Sequence, residues 1–204
     1  CETVPSATVS VNGLASPAAA TVKTYYLAPL DEDVDERDLQ YVEYSAQVER
    51  MLATRGMTRV YPETVASWPD IFVFLDYGVG KPRTRIGTYS VPHWGQTGVQ
   101  SSTTTGTVDT SGHYTANTTY TPSYGITGYS TGVYEYTTYT RHITLDAHRI
   151  EQRADHKSTP VFRTTIVSEG TSGDLRQMFP ILLLAARDHV ATNTGQAQTI
   201  VVKF

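Results

Sequence analysis

A long segment with almost no charge is the feature that most constrains this chain of 204 residues. Between Arg85 and Arg141 there is no Lys and no Arg, and Asp109 and Glu135 are the only formal charges. Low complexity and frequent Gly favour disorder, whereas Thr, Tyr and Val favour strands because they suit a half-buried pleated surface. We therefore predict that residues 88–137, approximately, form a β-prone insertion in an otherwise ordinary domain. Its predicted turns are Ser111-Gly112, Tyr124-Gly125 and Thr127-Gly128.

The aromatic side chains of this Tyr/Thr/Gly-rich insertion are the candidate interaction residues. A tyrosine offers a large contact area with few torsions to freeze, which suits an interface. The near absence of charge also permits edge-to-edge pairing of strands, which charged side chains normally block. Three interpretations stay open: an arm for protein contact or self-association, which we favour, a glycan-binding or peptidoglycan-binding surface, and a flexible or purely structural hairpin. The candidates are Trp94, Tyr114, Tyr120, Tyr124, Tyr129, Tyr134 and Tyr136.

The sequence on either side of the insertion predicts an α+β domain that spans residues 21–204. Helices are expected over 37–55, with Leu39, Val42, Ala46 and Leu52 near one face and Gly56 beyond the end, and from Ser172 or Asp174 to about Val190. Two amphipathic helices can cover one face of a sheet, so we expect a two-layer sandwich with a mixed sheet of about five strands and both helices on one face. The expected strands are 22–27, 71–75, 139–150, 161–167 and 200–202.

Cys1 is the only cysteine of the chain and is expected to carry lipid. An export signal cut before a cysteine leaves a thiol that accepts diacylglycerol and an amino group that accepts a further acyl chain such as palmitate. Two or three chains anchor firmly, because each buried CH₂ contributes about 0.8 kcal/mol. In the sorting rule of enteric bacterial lipoproteins, Asp directly after the cysteine favours the inner membrane, so Glu2 leans toward the outer membrane. Residues 1–20, rich in small residues, are expected to form a lipid-anchored tether, so the membrane is an expected partner.

Charge and motifs argue against several other functions. A net charge of −4 without a basic stripe does not favour nucleic acid as a partner. There is no G-x-S-x-G elbow and no thiol other than Cys1, so we expect no enzyme and no cofactor. The acidic run 31–38 is interpreted as helix capping and not as a calcium loop.

Two polar patterns receive structural interpretations. His142 and His148 lie roughly 20 Å apart along an extended strand, so they cannot share a metal, and only Asp146 and His148 could cooperate. The turn 168–173 joins a strand to a helix as anion-binding turns do. No Lys follows it, and Glu169 would repel an anion, so a simple capped turn is expected.

Several separated segments resemble bacterial lipoproteins of domain of unknown function family forty-one thirty-six. They are TYYLAP at 24–29, YTRHITLDA at 139–147, PVFRTTIVSEGTSGDLRQMFPILLLAA at 160–186 and TNTG at 192–195, together with the insertion segment TTYTPSYGITGY. The likeness covers about residues 20–204. It implies an envelope lipoprotein with a small α+β domain, and it implies no reaction and no catalytic motif.

These observations lead to one hypothesis with two rivals. We expect a non-catalytic outer-membrane lipoprotein that acts as a scaffold or assembly subunit through its insertion, in a homo-oligomer or an envelope protein complex. A cell-wall glycan-binding module, with peptidoglycan as partner, is the first rival. An envelope hydrolase is the second, and it would need Ser, His and Asp clustered in a pocket.

Overall fold

The computed structural model describes residues 5–61, 68–150 and 158–204. The chain divides into two compact units, which we call the body, Cys1–Arg83 with Thr137–Phe204, and the hairpin unit, Thr84–Tyr136. The predicted mixture of α and β structure is confirmed. The described residues contain two α-helices and one mixed sheet of eight strands, however, and not about five.

The sheet has the strand order β3-β2-β4-β6-β7-β1-β8, and β5 pairs with β6. β2 runs parallel to β3 and β4, and the pairs that continue from β4 through β8 are antiparallel. The helices are α1, Leu39–Thr54, and α2, Leu175–Ala186. The strands are β1 Ser6–Ala15, β2 Thr24–Pro29, β3 Thr58–Arg59, β4 Ile71–Val79, β5 Arg83–Val108, β6 Tyr114–Ile150, β7 Ser158–Gly170 and β8 Gln198–Lys203.

The N-terminal segment differs from the predicted tether. Residues 6–15 form β1, which is hydrogen-bonded between β7 and β8, and a 3₁₀ turn follows at Pro17–Thr21. Val9 and Val11 are fully buried, and they alternate with exposed or half-buried polar neighbours. That alternation is a strand pattern. A segment rich in small residues thus forms a strand of the sheet and not the expected tether.

The hydrophobic core lies between one face of the sheet and the two helices. Ile71, Val73 and Leu75 of β4 are buried, as are Ala147 and Leu145, which lie opposite Val73 and Leu75 on β6. The two helices meet at Tyr44 and Phe179, whose rings stack with centroids 4.0 Å apart and planes at 5°. An aromatic pair of this kind contributes about 0.5–1.5 kcal/mol beyond the area it buries.

Helix α1 begins and ends much as its sequence predicts but buries a different face. The Asp38 carboxylate caps it by accepting hydrogen bonds from the backbone N–H groups of Gln40 and Tyr41, and Gly56 follows its end with φ +76°. Leu39 is 85% exposed, Val42 is 48% exposed and Ala46 is exposed as well, so the predicted face is wrong at these three positions, whereas Leu52 is buried as predicted. The buried face consists instead of Tyr41, Tyr44, Ser45, Val48, Met51 and Leu52.

Helix α2 is shorter than predicted. Asp174 caps its N-terminus by accepting from the backbone N–H of Gln177 at 3.1 Å, and the helix runs through Pro180 to Ala186 instead of reaching Val190. Neither helix of the described chain has the length and hydropathy that a membrane-spanning helix requires.

Candidate functional site

The hairpin unit is a two-stranded ribbon made from β5 and the first part of β6. A turn joins its strands at Asp109, whose carboxylate accepts from the hydroxyl and backbone N–H of Ser111 and from the backbone N–H of His113. The side-chain bond from Ser111 is the main cause of the lowered pKa of Asp109. Gly112 has φ +81°, which confirms the turn predicted at Ser111-Gly112. Gly125 and Gly128 lie inside β6, so the other two predicted turns are wrong.

No residue of the hairpin unit is buried, and the structure describes every residue from 84 to 136. The seven aromatic candidates are all exposed, from 38% for Tyr136 to 71% for Trp94. The structure thus places the predicted residues on a ribbon that has no core of its own. The set is Trp94, Tyr114, Tyr120, Tyr124, Tyr129, Tyr134 and Tyr136.

Three tyrosines of the ribbon cover glycines of the opposite strand. A Cβ built on Gly132 would lie 2.4 Å from the Tyr89 ring, and one on Gly87 would lie 2.5 Å from the Tyr134 ring. The third pair is Gly106 with Tyr114, at 2.3 Å. Aromatic rings that cover cross-strand glycines help to fix strand register. The regular Gly content of the insertion therefore serves strand pairing and not chain flexibility.

Hydroxyl groups also link the two strands of the ribbon. The Oγ1 atoms of Thr104 and Thr118 are 2.9 Å apart, and Thr97 Oγ1 lies 3.2 Å from Ser123 Oγ. Thr127 Oγ1 donates to the carbonyl oxygen of His93 at 3.2 Å. Cross-strand pairs contribute roughly 0.2–1 kcal/mol each, which orders the ribbon locally without burying apolar surface.

Among the described residues, no third strand pairs with either long edge of the ribbon. Within the hairpin unit each strand pairs only with the other, because the β6 register with β7 begins at Tyr139 and its register with β4 at Arg141. The charged residues of the unit are Arg85 and Glu135 at one end and Asp109 at the turn. The strand residues between these two ends have no charged side chains, which normally prevent the addition of another strand to an open edge.

The body contains a polar network that sequence reasoning found only in part. Asp146 is hydrogen-bonded to Arg163, its cross-strand partner on β7, and its other oxygen lies 3.1 Å from His148 Nε2. Burial alone would raise the pKa of Asp146, but the bonds from Arg163 and His148 lower it. The pairing of Asp146 with His148 could be read from one strand. The contribution of Arg163 depends on the β6–β7 register, which the sequence does not reveal.

This network also reaches a serine, which bears on the hydrolase rival. His148 Nδ1 lies 2.9 Å from Ser158 Oγ, so Asp146, His148 and Ser158 are linked in series. In hydrolytic triads the serine bonds Nε2 and the carboxylate bonds Nδ1, whereas here the two ring nitrogens are exchanged. The neighbouring cavity of about 420 Å³ is lined by Asp146 and Arg163, and neither His148 nor Ser158 is among its described lining residues. We interpret the network as a structural tie between β6 and β7.

His142, the other histidine of β6, is not part of this network. His142 Nε2 lies 3.4 Å from the Asp76 carboxylate, on the next strand. In the described part of the chain, no group of three or more His, Cys, Asp or Glu side chains is placed to hold a metal ion.

Comparison with protein-family models, with curated proteins and with solved structures found no match to this chain. The resemblance to the forty-one thirty-six lipoproteins therefore rests on the sequence segments alone. Cys1, the predicted lipid-bearing residue, lies outside the described residues.

Proposed function

We propose that this protein is a non-catalytic scaffold or assembly subunit that binds its partner through the hairpin unit. The observation that carries the proposal is the absence of any buried residue from 84 to 136. An isolated two-stranded ribbon is marginally stable in water, and further strands or a packing surface are needed for independent stability. A partner that covers this ribbon would supply the missing core.

Edge pairing is the mode of binding that the ribbon supports best. Adding a strand to an open edge forms a ladder of main-chain hydrogen bonds, while side chains on alternate positions provide specificity. The open edge of β5 in one copy can pair with the open edge of β6 in a second copy. Such a head-to-tail contact uses two different surfaces and repeats from copy to copy. We therefore propose a homo-oligomer before a mixed envelope complex.

A shortened hairpin tests the proposal. We would replace residues 99–123 with Asn-Gly, which favours a tight two-residue turn, and measure molar mass by light scattering at increasing protein concentration. The full chain should exceed its monomer mass of 22.5 kDa, and the shortened chain should remain a monomer with an unchanged melting temperature of the body. A full chain that stays monomeric at all concentrations would contradict self-assembly.

Charge variants separate edge pairing from a general effect of the hairpin. Thr103→Lys with Thr119→Lys places two ammonium groups on the strands, where they should block lateral pairing. Thr110→Lys adds one ammonium group in the turn, and Thr103→Lys alone is measured as its charge-matched counterpart on the strand. We expect the strand variant to be monomeric and the turn variant to assemble. Equal assembly of both would exclude edge pairing.

A cell-wall glycan-binding module is the second candidate, and the exposed tyrosine rings favour it. Flat aromatic faces can stack on sugar rings, and Tyr120, Tyr124 and Tyr129 are each more than 60% exposed. Sedimentation with purified peptidoglycan distinguishes the two functions. A glycan binder should sediment with it and lose that property in a Tyr124→Ala variant, whereas an assembly subunit should form oligomers without it.

The lipid anchor at Cys1 and the outer-membrane location remain predictions. Mass spectrometry of the N-terminal peptide from cells checks both the thiol and the amino group. A peptide with an unmodified Cys1 would contradict the anchor without affecting the proposed assembly.

A further inference from the structure

Arg141 is a buried arginine that has no carboxylate partner among the described residues. Only 3% of it is exposed. Its Nη1 donates to the carbonyl oxygen of Ser172 and its Nη2 to Ser168 Oγ, both at 3.2 Å, while Nε has no partner. A guanidinium has five N–H donors, so three of them are not used within the described chain.

A nearby anion would stabilise the buried positive charge of Arg141. Removing an ion from water is costly, and the cost is recovered only when an opposite charge and further hydrogen bonds compensate it. Burial lowers the pKa of Arg141, but an arginine side chain stays protonated in a protein. The two acceptors that Arg141 reaches are both neutral.

Arg141 lines a small polar cavity beside the N-terminus of α2. The cavity measures about 290 Å³ and is lined by the start of β1, by residues 169–172 at the end of β7 and just beyond it, and by Arg141. A Cβ built on Gly170 would lie 2.6 Å from Nη2, so the guanidinium rests directly against the Gly170 backbone. Ser168 Oγ donates to the Thr8 carbonyl oxygen at 2.9 Å, which directs its lone pairs toward Arg141.

An acidic group at the cavity limits the charge of its occupant. Glu169 lines the cavity and accepts a hydrogen bond from Thr138 Oγ1 at 2.8 Å. Its carboxylate disfavours a doubly charged occupant more than a singly charged one, and a planar monoanion matches the flat donor edge of a guanidinium. The repulsion expected from Glu169 therefore disfavours doubly charged anions but does not exclude singly charged ones.

We propose that the cavity at Arg141 binds a small monocarboxylate. The binding does not depend on the hairpin unit, because every residue involved belongs to the body. Acetate is the probe, and the arginine Nε–H signals of the ¹⁵N-labelled full chain give the local readout. The Arg141 signal, identified by its loss in an Arg141→Met variant, should shift with acetate and not with chloride at equal ionic strength.

Thermal denaturation provides the second readout. Acetate should raise the melting temperature of the wild type, since a ligand that binds only the folded state stabilises it. Arg141→Met should lose roughly ten- to hundredfold in acetate affinity, the range expected when hydrogen bonds to a charged group are removed. Arg187→Met is the control, because Arg187 lies on the surface with Asp188 as its partner.

Two further measurements do not depend on whether Arg141→Met folds. Gly170→Ala retains the arginine but places a methyl group against Nη2, so it should fold and bind acetate more weakly. Inorganic phosphate, tested in the same way, should bind less tightly than acetate. Identical Arg141 signals and melting temperatures in acetate and chloride would overturn the site, and tighter binding of phosphate would overturn the assignment to a monocarboxylate.

Discussion

Gly13 shows how a single residue sets the path of β1. A Cβ at this position would lie 2.5 Å from the carbonyl oxygen of Thr192 and 2.9 Å from that of His189. The same backbone also bonds Thr194, whose N–H donates to the Gly13 carbonyl oxygen at 2.9 Å. The segment after α2 therefore packs directly on the main chain of β1.

We expect Gly13→Ala to lower the free energy of unfolding of the body by about 1–3 kcal/mol, the usual cost of overpacking a fitted site. The obstructing atoms belong to backbone, so they cannot rotate away. Urea denaturation measures the change, and Asn12→Ala on the same strand is the control because Asn12 is exposed. Equal stability of both variants would show that residues 189–194 move away from the added methyl group at little cost in free energy.

Asp146 makes the stability of the body depend on pH. Its folded pKa is lowered by Arg163 and His148 against the opposing effect of burial. A carboxyl group with a lowered folded pKa stabilises the protein above its unfolded pKa, about 3.9 for Asp, and that stabilisation is lost as pH falls through the folded value.

We therefore expect Asp146→Asn to be less stable than the wild type at neutral pH, by about 2 kcal/mol, since it loses charge-assisted hydrogen bonds. The difference should shrink below about pH 4. Melting temperatures of both proteins across pH check this, with Asp188→Asn as an exposed control. A difference that did not change with pH would mean that the carboxylate charge is unimportant.

At the scale of the element, the cap of α1 was predictable because its causes are local. Asp38 accepts from two backbone N–H groups that the first helical turn leaves unsatisfied. The buried face of the same helix was not predictable, because it depends on what lies opposite. Tyr44 is buried since Phe179 and Tyr77 of other elements contact its ring.

Removal of this cap should weaken the element measurably. We expect Asp38→Ala to lower the free energy of unfolding by about 1 kcal/mol, the typical value for loss of an N-cap. Glu32→Ala removes an acidic side chain from the same exposed run and should change it by less than about 0.5 kcal/mol. Circular dichroism during urea denaturation compares the two variants, and equal losses would assign the effect to net charge.

At the scale of the whole molecule, the two units should differ in backbone protection. The body has a core of buried side chains, whereas the hairpin unit has none. Main-chain hydrogen bonds that are not supported by buried apolar contacts open readily. If copies pair through their edges, association must add protection that a single chain lacks.

We expect amide hydrogen exchange between residues 86 and 135 to slow as protein concentration rises, while exchange in the core strands β4 and β7 stays constant. Mass spectrometry of deuterated peptides measures both regions in one experiment. Exchange in the hairpin unit that is slow at every concentration would show that the ribbon is stable alone. The charge variants proposed above should abolish the concentration dependence.

The sequence by itself determined the features whose causes lie within a few neighbouring residues. These include the α1 cap at Asp38, the left-handed Gly56, the Ser111-Gly112 turn and the nearly uncharged, strand-forming insertion with its exposed aromatic residues. Local hydrogen bonds, glycine conformation and the absence of charge do not require a partner strand to be recognised.

Only the tertiary structure decided what depends on register and on distant segments. It made residues 6–15 a strand between β7 and β8, because Val9 and Val11 find a core there. It brought Arg163 onto Asp146 and left Arg141 buried beside Gly170, at positions set by the pairing of β6 with β7. Register is fixed by packing across the whole sheet, which no single segment of the chain contains.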